Sequence, residues 1–108
     1  MSKVKNEPGG YHGDTSDFPT IDRALAGEQS AYEELFEKYQ KRILNLFRRL
    51  MNNSTANCED DSEDFVQETF ALAFSKLHTF KKRASFYTWL YKIAVNAFFM
   101  SCRRKKPD

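Results

Sequence analysis

Between Lys81 and Arg103 the chain sets cations and an amide among aromatic rings: Lys81, Lys82, Arg83, Lys92, Asn96 and Arg103 alternate with Phe86, Tyr87, Trp89 and Tyr91. Ammonium and guanidinium groups neutralise phosphates, an amide bonds a base edge, and an indole or phenol ring is a surface on which an unpaired base stacks. Bases in a duplex are already stacked on one another. An aromatic-rich site therefore gains most from an open strand or a flipped base. The chemistry is recognition rather than turnover. No glycine-rich phosphate loop is present, no nucleophile sits beside a plausible base, and the two cysteines and two histidines lack the paired spacing of a zinc site. No catalytic residue, metal or cofactor is expected, and an enzyme is not.

A second cluster lies upstream and is acidic. Glu59, Asp60, Asp61, Glu63, Asp64 and Glu68 come with no basic residue among them, whereas the cations from Lys76 to Lys106 are opposed only by Asp108. The net charge of +2 hides this segregation. Regions of opposite sign imply two different partners, one of them a polyanion.

The elements that must position these groups read as helices. Ser85 is an N-cap candidate, and no Gly or Pro interrupts the run from there to Pro107. At helical spacing Phe86, Leu90, Ile93, Ala94 and Ala97 share a core-facing side, while Thr88, Lys92, Asn96, Phe99 and Arg103 share the opposite one, with Trp89 on its flank. A helix from Ser62 to Leu77 has a core stripe of Val66, Phe70, Ala73, Phe74 and Leu77. Another face collects Asp61, Asp64, Phe65, Glu68 and Leu72, which places two bulky apolar residues amid carboxylates. Such a face either packs on a short N-terminal lid helix or docks a basic partner. Residues 28–52 form a long amphipathic helix with Leu35, Phe36, Tyr39, Ile43, Leu46, Phe47 and Leu50 inward. Its polar side, from Glu33 to Arg49, is a mixed solvated surface, with Arg48 and Arg49 as secondary phosphate candidates. A short helix from Phe18 to Ala26, with Ile21, Ala24 and Leu25 on one side and Gly27 as its stop, makes a lid.

The 108 residues suit one small all-α bundle of three main helices plus this N-terminal lid helix, spanning 17–104. Residues 1–16, with Pro8, Gly9, Gly10 and Gly13 among polar neighbours, read as a disordered tail. Neither a membrane-spanning run nor a signal peptide is seen, and Cys58 and Cys102 read as free thiols in a reducing cytoplasm.

Two segments, DSEDFVQETFALAFSKLHTF from Asp61 to Phe80 and ASFYTWLYKIAVN from Ala84 to Asn96, resemble region 2 of bacterial sigma factors of the extracytoplasmic-function group. AYEELFEKY, at the start of the long helix, resembles that family's opening region, and the likeness runs from about Thr20 to Arg104. The resemblance implies that the acidic helix docks on the clamp helices of the largest-type subunit of core RNA polymerase, through Asp64, Phe65, Gln67 and Glu68. It also implies that Lys81, Lys82, Arg83, Ala84, Ser85 and Phe86 form a loop holding a base flipped from the non-template strand of the minus-ten promoter element. Trp89, Lys92 and Asn96 match positions of the reading helix. An alternative under the same resemblance is a module that mainly binds an anti-sigma regulator. The chain departs from the family pattern at Phe98, Phe99 and Met100, where polar residues are usual, and at its end. Residues 105–108 read as the start of a linker to an absent second domain.

Overall fold

A computed structural model describes residues 13–53 and 62–104, and its helices are α1 (Phe18–Leu25), α2 (Gln29–Asn53), α3 (Ser62–Ser75) and α4 (Phe86–Arg104), with a 3-10 turn at Leu77–Thr79 between α3 and α4. Helices α2, α3 and α4 pack on one another, and α1 lies across α2 and the 3-10 turn. The all-α bundle with a short N-terminal helix is as the periodicity predicts, with α3 ending earlier and the 3-10 turn carrying Leu77 into the core. Residues 1–12, Asp61 and the 105–108 segment lie outside the described residues, as does Cys58. Cys102 is buried against the core.

Each helix end has a local cause. Gly27 closes α1 with φ at +101°, a left-handed conformation that a Cβ would strain. Its N–H bonds Ala24 O at 3.0 Å, and the Glu28 N–H bonds Arg23 O at 3.0 Å. These two bonds satisfy carbonyls the helix would otherwise orphan. Arg23 then pairs with Glu28 and, at 2.8 Å, with Glu34, so α1 is tied to the first turns of α2. The Glu28 carboxyl is held below its usual range chiefly by that guanidinium.

Asp17 stands at the start of α1 but makes no side-chain cap. Its carboxylate is buried and accepts from the Tyr39 hydroxyl and from Lys38 Nζ at 2.7 Å, anchoring α1 to the middle of α2. Burial, reinforced by this carboxylate, pushes the Tyr39 hydroxyl well above the ordinary tyrosine value.

The core joins all the elements: Leu35, Ile43 and Leu46 from α2, Phe65 and Phe70 from α3, and Phe86, Leu90 and Phe98 from α4 are buried. Each large side chain removed from water contributes about 1.5–3 kcal/mol. Two expectations are corrected here. Leu25 is 46% exposed rather than core-facing, because α1 ends there and its buried residues are Ile21 and Ala24. Phe65 is 1% exposed, its ring 4.8 Å from Phe47 and 6.3 Å from Phe98, so it is a junction of α2, α3 and α4 and not an anchor on a docking surface.

Candidate nucleic-acid interface

The loop and α4 rise from one aromatic cluster. Phe80 meets Phe18 of α1 at 5.8 Å, Phe86 at 6.1 Å and Trp89 at 5.2 Å between ring centroids. Phe86, expected among the DNA contacts, is fully buried; it points the loop by packing and touches nothing outside. Trp89 is half-buried, with one side on Phe80 and Phe86.

Ser85 caps α4 as its sequence position predicts: its Oγ accepts from the Thr88 N–H at 3.1 Å and donates to the Thr88 hydroxyl at 2.9 Å. Such a cap contributes about 1 kcal/mol and fixes where the helix begins. Thr88, Lys92 and Asn96 follow at helical spacing and all are exposed. Tyr91, Lys92, Val95 and Asn96 line one shallow cleft on this face. The backbone of Arg103 belongs to the last turn of α4, and its side chain lies outside the described residues.

The three cations of the loop do not behave alike. Lys82 adopts φ of +59°, a left-handed conformation uncommon for a residue with a Cβ. Its ammonium pairs with Asp22 of α1 at 2.6 Å and stands 5.7 Å from the Phe18 ring centre. Lys81 and Arg83, on either side, are exposed and enter no ion pair among the described residues. The loop is thus pinned at its centre and offers charge at its edges.

The expected docking residues separate. Asp64 and Gln67 gather on a groove between α2 and α3, across from Phe36, Gln40 and Leu44. The groove continues along Tyr32, Phe70 and Phe74, where Tyr32–Phe74 and Phe36–Phe70 pack edge-on at 4.9 Å and Glu33 and Glu37 stand at the rim. Glu68 is half-buried. Leu72 belongs elsewhere: it lines a cleft toward α4 with Lys76, Ile93, Asn96, Phe99 and Met100. The α2 half of the groove was missed in the sequence: Phe36 reads as core, and Gln40 and Leu44 carry no signal of their own until α3 is laid beside them.

At the end of α4 the apolar residues divide. Phe98 is buried on Phe47 and Phe65, whereas Phe99 and Met100 are 44% and 48% exposed.

Comparison with known proteins supplies the context for this geometry. The profile of the Sigma-70 region 2 family matches residues 35–107. The chain is 30% identical over 94 residues to the ECF RNA polymerase sigma-E factor of Haemophilus influenzae, covering 85% of this chain and 47% of that protein. It is 33% identical to the RNA polymerase sigma-H factor of Pseudomonas aeruginosa, over 82% of this chain and 45% of the relative. The identity is also 33% to the ECF RNA polymerase sigma factor SigW of Bacillus subtilis, over 82% and 44%. The chain therefore spans less than half the length of these curated relatives. Among solved structures, an engineered region 2 of sigmaE, determined by NMR in complex with GTAAAA, superposes with a TM-score of 0.67 at 30% identity. It covers 89% of this chain and 99% of that one.

Proposed function

This chain belongs to the Sigma-70 region 2 family, and we propose that it is the promoter-recognition domain of an alternative sigma factor, docking on core RNA polymerase and reading the minus-ten element. The observation that carries this reading is the outer face of α4, where Lys92 and Asn96 are exposed beside Trp89 and above a loop whose Lys81 and Arg83 enter no ion pair among the described residues. Lys81 and Arg83 take phosphates of the non-template strand, and Trp89 offers a ring face to an unpaired base. Asn96 bonds a base edge. The contacts offset the few kcal/mol that unstacking a base costs. Thr88 and Ser85 serve mainly by starting the helix in the right place.

Polymerase docking falls to the groove. Glu63, Asp64 and Gln67, with the apolar floor of Phe36 and Leu44, present a small hydrophobic centre with a polar rim to the clamp helices of the largest-type subunit. In that rim Lys41 is outnumbered by carboxylates. No reaction is assigned to the domain, and its place of work is the cytoplasm, where polymerase and promoter are. Exposed Phe99 and Met100 favour a second, compatible contact with an apolar partner such as an anti-sigma regulator.

Two substitutions test the division of labour. Asp64→Lys is expected to abolish pull-down of core polymerase and to leave binding of a GTAAAA single strand unchanged. Asn96→Ala is expected to weaken the strand by about tenfold, the equivalent of 1.4 kcal/mol, and to leave pull-down intact. A wild-type chain that does neither refutes the assignment.

A further inference from the structure

The exposed arc of α4 has two rims. One is Trp89. The other is Tyr87, whose ring stacks on Tyr39 at 5.6 Å with 21° between planes and is covered from α2 by the Arg42 guanidinium, 3.8 Å from its centroid. Tyr91 follows one turn on, 6.2 Å from Tyr87 and 40% exposed, and it shares its cleft with Lys92 and Asn96.

In the sequence Arg42 is one charge among many on a mixed helix surface. The structure sets it apart. Arg23 and Lys38 are committed to carboxylates, whereas none of the ion pairs among the described residues uses Arg42. The carboxylate in electrostatic reach, Asp14, accepts from the Ser16 N–H at 2.9 Å. The guanidinium sits over the Tyr87 ring and enters no hydrogen bond among the described residues, and its planar fork suits two oxygens of one phosphate. The stack also removes much of the rotamer entropy that a free arginine would lose on binding.

We propose that Arg42, held on Tyr87 with Tyr91 beside it, is a further backbone contact, on α2, for the single strand engaged by Lys92 and Asn96. It adds affinity without base preference. The inference rests on the reading of α4 as a strand-binding face and extends that site across to α2.

The test is a titration of the whole chain with a labelled strand carrying GTAAAA within a run of thymidines, and with an all-thymidine strand of equal length, over a series of salt concentrations. Arg42→Gln is expected to weaken both strands several-fold and by the same factor. It should also make the slope of log K against log salt shallower by about 0.7, the value for one phosphate on a single strand. Arg42→Lys should restore the slope, and Tyr91→Ala should weaken both strands. If Arg42 only pinned α4 to α2, Arg42→Gln would lower the melting temperature and leave the slope unchanged, which overturns the proposal. A wild-type chain that responds to Asn96→Ala but not to Arg42→Gln or Tyr91→Ala overturns this contact alone. A wild-type chain without salt-sensitive binding overturns the strand-binding reading beneath it as well.

Discussion

The outer face of α4 and the groove between α2 and α3 present polar groups over a common core by different constructions. The α4 face takes Thr88, Lys92 and Asn96 from one helix whose start is set by Ser85, so its groups keep their spacing whenever the helix stays intact. The groove takes Phe36, Gln40 and Leu44 from α2 and Asp64 and Gln67 from α3, so its width depends on how two helices pack. A face built on one element is sensitive to its own side chains. A face built on two is sensitive as well to what lies beneath them. Perturbations can therefore be ranked by how many faces they reach.

Phe65→Ala reaches both, since the ring joins α3 to Phe47 of α2 and Phe98 of α4. Loss of this buried ring should cost about 3–5 kcal/mol in urea denaturation, with strand and polymerase binding falling together as the folded fraction falls. Unchanged stability with a loss of docking alone would put Phe65 back on the surface. Tyr39→Phe comes next, because it takes a hydroxyl from the buried Asp17 carboxylate; a hydrogen bond to a charged group contributes about 1.5–3 kcal/mol.

The same residue sets a pH dependence. The folded state holds the Tyr39 proton more tightly than the unfolded chain does, chiefly through burial and then through Asp17. The associated stability is complete below the ordinary tyrosine value of about 10 and is lost as pH rises through the folded value. Wild type should lose stability above about pH 10, and Tyr39→Phe should lose less over that window.

Asp22→Asn is the smallest perturbation and touches one face only. It ends the ion pair with Lys82, and because both groups are well exposed the melting temperature should fall by no more than about 0.2–1 kcal/mol of stability implies. Freed for a phosphate, the ammonium should tighten strand binding up to a few-fold in the same salt titration, with polymerase pull-down unchanged. A change in pull-down instead would mean that loop and groove are coupled.

Much of the α4 face was legible because it is contiguous. Ser85 as cap, the inward set from Phe86 to Ala97 and the outward set through Asn96 follow from one period and one stop signal. Phe86 was misread as a contact because a loop motif names a stretch and does not say which of its side chains turns inward. Phe65 and Leu72 were misread for a packing reason. Helix α3 has neighbours on two sides, so its buried arc, from Phe65 through Thr69 and Ala73 to Phe70, is wider than the stripe a helix needs against a single partner. Arg42 carried no signal at all, since its meaning comes from Tyr87, which lies on another helix far along the chain.

Trp89 is the only tryptophan in the chain, and it stands half-buried on Phe80 and Phe86 at the edge of the α4 face proposed to bind the strand. The protein thus carries an optical reporter at one of its two surfaces. Light absorbed by indole alone interrogates this residue, and a base laid against the ring will quench its emission, whereas a helix entering the groove between α2 and α3 leaves it unquenched. Occupancy of the α4 face can thus be followed by its own signal, with no label attached to the strand.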